Sequence, residues 1–190
     1  MKILVFDTRA EQQPAQGPLG AAELYPDSSV IISHKPLFLP DWCDNYASTM
    51  AVAARVCRLG KNVAERFAVR YWREITACMI TGGCGSERND ALARSFDGAI
   101  ALGEWVLIDR ASQAAMPFTA SKGSDVVCSC NMSDDMYRLI DRAIVTASRY
   151  VTIKMGDIIA VTLGEACPIA IGDTLLATIG GQEVLTTRIK

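Results

Sequence analysis

The stretch Thr49-Met50-Ala51-Val52-Ala53-Ala54-Arg55-Val56-Cys57-Arg58, followed by Leu59-Gly60-Lys61-Asn62, decides the reading of this chain. The first ten residues are small, apolar or β-branched, and they predict a strand. Side chains along a strand alternate between two faces. Met50, Val52, Ala54 and Val56 fall on one face, the expected core face. Thr49, Ala51, Ala53, Arg55 and Cys57 fall on the other, from which any functional group of this strand must come. Leu59–Asn62 has the composition of a tight turn.

Downstream, Ala64, Phe67, Ala68, Tyr71, Trp72 and Ile75 recur at helical spacing and predict a helix over about 63–77. Asn62 is its expected cap, with Glu65 three residues on. Gly82-Gly83-Cys84-Gly85-Ser86 should end any regular element. Arg94-Ser95-Phe96-Asp97-Gly98 closes the stretch as a loop in which Asp97 sets a turn. A second helix is predicted over about 134–149. Ser133 is its cap, and Asp134 and Asp135 suit its positive end. Met136, Leu139, Ile140, Ala143, Ile144 and Ala147 form its stripe.

The flanks are β in character. Ile3–Phe6 is a first strand; its apolar run stops at Asp7, too soon for a signal core. Glu11–Gly20 is a loop or partly ordered lid, and Ser29–Ser33 is a short strand. Pro36 and Pro40 confine Leu37–Leu39 to an edge piece. Gly156-Asp157 and Ile171-Gly172-Asp173 are two similar turns. Gly180-Gly181 between two alternating runs is a hairpin. The fold class expected is therefore α+β, mostly β, in one domain over residues 1–190.

The chain has 190 residues, 21% of them charged, and a net charge of −2. No basic block supports a nucleic-acid partner. No apolar run approaches the roughly 20 residues of a membrane span. Seven cysteines occur without a Cys-x-x-Cys, so zinc has no support, and free thiols suit a reducing cytoplasm. Cys128 and Cys130 are expected to be packing thiols on one side of a strand. His34, the only histidine, is expected at an edge strand.

Three pieces carry a resemblance. They are Arg58-Leu59-Gly60-Lys61-Asn62-Val63, Ser95-Phe96-Asp97-Gly98 with Leu102-Gly103-Glu104-Trp105, and Lys154-Met155-Gly156-Asp157-Ile158-Ile159 with Ile171-Gly172-Asp173. In this order the chain resembles the fumarylacetoacetate hydrolase family, specifically its short members acting on acylpyruvates and other 2-oxo acids. The resemblance implies a mixed β-roll or sandwich and a dimer, here a homodimer or a heterodimer with a related chain. It also implies a magnesium or manganese ion held by two glutamates two residues apart on a strand, plus a later aspartate. Carboxylates at i and i+2 share a strand face and can grip one hard cation.

Aligned to that pattern, the glutamate positions hold Thr49 and Ala51, and the aspartate position holds Ile80, or Gly83 after a shift of three. The family lysine becomes Arg94, the loop histidine becomes Gln13, and of the family's Thr-Gly-Thr-Pro only Thr162 survives. No metal and no other cofactor is therefore expected. Arg94, Thr162 and Gln13 are the candidate binding residues, for a small carboxylate, with a structural ion pair as the other reading of Arg94. The favoured expectation is a catalytically silent binding or assembly protein. One alternative is an active hydrolase, isomerase or decarboxylase of a small 2-oxo acid working through Arg94 and the glycine loop at Cys84. The other is a metal hydrolase using Glu74, Glu87 and Asp90 instead.

Overall fold

The structure is a computed structural model and describes residues 1–8, 19, 22–84, 91–110 and 115–190. Twelve strands and one long helix dominate it. The strands are β1 (Lys2–Phe6), β2 (Ala22–Pro26), β3 (Val30–Ile32), β4 (Tyr46–Val56), β5 (Trp72–Gly83), β6 (Ile100–Leu102), β7 (Val106–Leu107), β8 (Met116–Lys122), β9 (Asp125–Met132), β10 (Ile158–Ile169), β11 (Thr174–Ile179) and β12 (Gln182–Arg188). A single turn, α1 (Ala91–Arg94), precedes β6, and α2 (Asp134–Tyr150) is the long helix.

The larger sheet runs β2-β1-β10-β4-β5-β6-β3, with β7 on β5. It is mixed: β1 lies parallel to β10 and β3 to β6, while β4 is antiparallel to both its neighbours. The smaller sheet is β12-β11-β8-β9, all antiparallel. Alternation on β4 sorts its residues into two buried clusters. Met50, Val52, Ala54 and Val56 join the main core with Ile140, Ala143 and Ile144 of α2 and Phe118 and Leu175 of the smaller sheet. Ala51 and Ala53 join a second cluster with Ile3, Tyr25, Cys78 and Ile100. Tyr25 on the β2 edge and Ile100 near the opposite edge share that cluster, so the large sheet curls on itself. The α+β, mostly β expectation holds.

The helix predicted over 63–77 does not form. Glu65–Arg70 is a short 3-10 helix, and Trp72 begins the long strand β5. Period-two and period-four patterns coincide at such positions as Tyr71 and Ile75. Both faces of β5 are buried, so no alternation marks it as a strand. Pairing with β4 from Tyr46↔Gly83 to Val56↔Trp72 decides the outcome. Asn62 is no cap: its φ of 51° is left-handed, a turn conformation Asn tolerates. Gly60 is required beside it, because a Cβ there would lie 2.4 Å from the Tyr71 ring.

The α2 prediction holds. Ser133 occupies the N-cap position with extended backbone, although its side chain makes no capping hydrogen bond. Gly180-Gly181 turns β11 into β12, both glycines with positive φ. His34 is not on a strand edge but in the turn after β3, exposed and with φ of 68°. Val151–Met155 contributes only an isolated bridge, Gly60↔Ile153. No helix of the described residues is long and apolar enough to cross a membrane.

Candidate functional site

A cleft of about 230 Å³ opens at one end of the large sheet. Register explains its position. Thr49 pairs with Ile80 across β4 and β5, and Ala51 pairs with Cys78 one same-face row deeper. Thr162 of β10 lies beside Ala51 on the other side. Beyond Leu163 the β10 register breaks until Cys167, so residues 164–166 bulge away and β10 offers no partner to Thr49 on that side of β4. A bulge of this kind opens a sheet locally and re-aims side chains. Thr49 and Ile80 form one wall of the cleft, and Thr162, Val5 and Ala166 form another.

The three positions that the family resemblance assigns to metal-binding carboxylates thus share one face. They carry a hydroxyl, a methyl and a branched alkyl group. Ala51 is fully buried and Thr49 nearly so. A hard divalent cation needs several oxygen ligands, mostly carboxylate, and this donor set does not fit one. Among the described residues, no group of three His, Cys, Asp or Glu side chains is placed to hold a metal ion. Glu74 sits at the far end of β5, where it pairs with Arg55. Glu87, Asp90 and Gln13 lie outside the described residues.

Arg94 and Thr162 both line the cleft. The Thr162 hydroxyl accepts from the Thr8 N–H at 3.0 Å and lies 3.2 Å from the Asp7 carboxylate, to which it donates. Its carbonyl accepts from the Thr8 hydroxyl at 2.6 Å. The side chain therefore fastens the end of β1 to β10, and its hydroxyl already has both a donor and an acceptor. Arg94 ends α1. Its Nη1 donates to Glu23 Oε1 at 2.6 Å, while its Nε, buried, has no partner among the described residues.

The other Glu23 oxygen accepts from the Tyr25 hydroxyl at 2.7 Å. Burial, and then the hydrogen bond to Glu23, push the Tyr25 phenol far above its ordinary range, so it stays a proton donor. Cys84 is exposed at the cleft rim, but its N–H donates to Asn45 at 2.8 Å, so that amide is engaged and does not serve an oxyanion. Burial pushes the Cys78 thiol, deeper in the roll, up to about 12.

Sequence reasoning missed Asp7, Glu23 and Tyr25, all of which line the cleft. Glu23 and Tyr25 share a face of β2 by simple alternation, a signal that Glu23-Leu24-Tyr25 carries. The partnership with Arg94 spans 71 positions and leaves no local trace.

The sequence matches the family model described as fumarylacetoacetate (FAA) hydrolase, C-terminal, over residues 6–190. Sequence comparison with curated proteins finds no match. Among solved structures, a 5-carboxymethyl-2-hydroxymuconate delta-isomerase from Mycobacterium smegmatis superposes with a TM-score of 0.80 at 21% identity. That match covers 99% of this chain and 78% of the isomerase. Fumarylpyruvate hydrolase from Pseudomonas aeruginosa, solved with Mn2+ and pyruvate, gives 0.81 at 13% identity over 100% of this chain and 89% of its own. Maleylpyruvate hydrolase from Sphingobium sp. SYK-6 gives 0.77 at 18%, covering 100% of this chain and 70% of the hydrolase. At these identities the likeness establishes the fold alone.

Proposed function

The chain belongs to the fumarylacetoacetate hydrolase family, and on that premise we propose that it binds a small carboxylate without running the metal-assisted reaction of its relatives. One observation carries the reading. Thr49, Ala51 and Ile80 share one face, Thr49 and Ile80 lining the cleft opposite each other and Ala51 buried one row deeper, and none offers an acidic oxygen. A divalent ion would supply the Lewis acidity that polarises a 2-oxo acid, and these side chains cannot retain it. Arg94 remains as a fixed cation in the cleft. Its planar guanidinium suits a carboxylate by charge and by shape.

The chain's own groups then divide the work. Arg94 binds and orients the carboxylate. Thr49 and Ile80 give the ligand a small, largely apolar wall. Thr162 holds the β1 end in place rather than meeting the ligand. The bound species is a monocarboxylate or dicarboxylate small enough for the cleft, and the protein acts as a binder or as a partner in an assembly.

Metal content of the purified protein, measured by mass spectrometry, tests the first half. The expected result is no stoichiometric magnesium or manganese, with magnesium affinity gained in the triple variant Thr49→Glu, Ala51→Glu, Ile80→Asp. Stoichiometric metal in the unaltered protein would overturn the proposal. Calorimetry with oxalate in EDTA tests the second half: binding is expected, and Arg94→Ala should abolish it. Turnover of an acylpyruvate in EDTA, lost in Arg94→Ala, would replace this reading with that of a metal-independent enzyme.

A further inference from the structure

We infer that Glu23 is an internal carboxylate that occupies the Arg94 seat and competes with incoming anions, making it the residue that sets the affinity of the cleft. This inference rests on the carboxylate-binding reading above and concerns the regulation of that site.

Four observations support it. First, the Glu23 Oε1 to Arg94 Nη1 contact at 2.6 Å is a close, charge-assisted hydrogen bond within the cleft lining. It places on Arg94 the same functional group that a carboxylate ligand would bring. Second, the contact is single-pronged. Arg94 Nε is buried and has no partner among the described residues. A guanidinium receives a carboxylate best through two parallel N–H bonds. Glu23 thus leaves one Arg94 donor unmet, and a carboxylate that turned the guanidinium to expose its Nε would gain the second bond.

Third, Glu23 has somewhere to go. It stands on β2, the edge of the large sheet, and its side chain is 44% exposed. Swinging it fully into water restores its hydration, so the displaced carboxylate is not left as an unpaired buried charge. Fourth, a second anchor biases the seated position. The Tyr25 hydroxyl, from the same face of β2 and with its residue only 3% exposed, donates to the other Glu23 oxygen at 2.7 Å. Burial keeps that phenol protonated and donating. Glu23 is thus held by a guanidinium on one oxygen and a phenol on the other. A ligand must supply more than Glu23 does to displace it.

The test is isothermal titration with oxalate against the full chain and four variants, in EDTA, with circular dichroism to verify folding. Glu23→Gln keeps the shape and removes the charge; it should tighten oxalate by about tenfold or more, which corresponds to about 1.4 kcal/mol. Tyr25→Phe removes only the second anchor and should tighten it by a smaller factor. Adding Arg94→Ala to Glu23→Gln should abolish binding. Binding detectable only after Glu23→Gln would be the strongest support.

If the unaltered protein binds oxalate and Glu23→Gln binds it equally or more weakly, Glu23 is not a competitor. The inference then falls while the carboxylate-binding reading stands. If neither binds, both fall. If Glu23→Gln and a second variant, Glu23→Ala, both fail to fold, the pair is a structural clamp and the inference is overturned.

Discussion

The two ends of β4 and β5 make different demands on their residues. At one end, around Gly60 and Asp157, nearly every polar group is committed to holding the backbone. At the other, Thr49 and Ile80 line the cleft, and Thr49 has no β10 residue opposite it. Gly60 admits no Cβ beside Tyr71, and its N–H and carbonyl both bond Ile153 at 2.9 Å. Lys61 Nζ donates to the last carbonyls of α2, Arg149 at 3.1 Å and Tyr150 at 3.0 Å, where a cation also suits the negative helix end. Asp157 is buried and accepts from the Lys2 ammonium at 2.6 Å and from the Lys2 and Lys154 N–H groups. These turns are held by packing and hydrogen bonding whatever the cleft does. A chain can therefore keep the frame of a family while the side chains that would do its chemistry change.

That contrast can be attacked from the strongest expected effect downward. Gly60→Ala forces a methyl group against the Tyr71 ring and should lower stability by about 3 kcal/mol, read from the urea midpoint. A midpoint unchanged from the parent would show that the turn tolerates what its geometry forbids.

Asp157→Asn should cost about 2 kcal/mol at neutral pH by weakening its charged hydrogen bonds. Burial alone would raise the Asp157 carboxyl, but the bonds from Lys2 and Lys154 outweigh it and hold the group below its ordinary range. A depressed folded-state value means that the contribution is present above the unfolded value of about 3.9. It is lost as pH falls through the folded one. The variant should accordingly lose less stability than the parent below about pH 4. A parallel loss in both would remove Asp157 from the account.

Lys61→Met keeps the stem and deletes the cation; the expected loss is about 1 kcal/mol, smaller in high salt, by thermal melting. At the cleft end, Thr49→Val exchanges one hydroxyl for a methyl group and should change stability by no more than about 1 kcal/mol. A loss as large as that of Gly60→Ala would dissolve the distinction between frame and cleft wall.

Much of the frame was legible in the sequence. β1, β3, α2 and the β11–β12 hairpin follow from runs of β-branched residues, a three-four stripe behind Ser133, and Gly180-Gly181. The 63–77 segment was misread because Trp72–Gly83 is buried on both faces and lacks the alternation that marks a half-exposed strand. Asn62 looked like a helix cap because cap and left-handed turn favour the same residue. Thr49, Ile80, Arg94 and Thr162 were within reach through the family resemblance, counted from the turns that carry it. That Thr162 already has partners, and that Glu23 faces Arg94, could not.

The sequence by itself determined the strand-rich class, the turns, the long helix, and the absence of acidic side chains at positions 49, 51 and 80. Those are properties of single residues and of local spacing. Tertiary structure alone decided that β5 is a strand, that the break in β10 leaves Thr49 facing a cleft, and that Glu23 sits on Arg94. Each depends on elements far apart in the chain meeting through sheet register, and local propensity carries no information about register between distant strands.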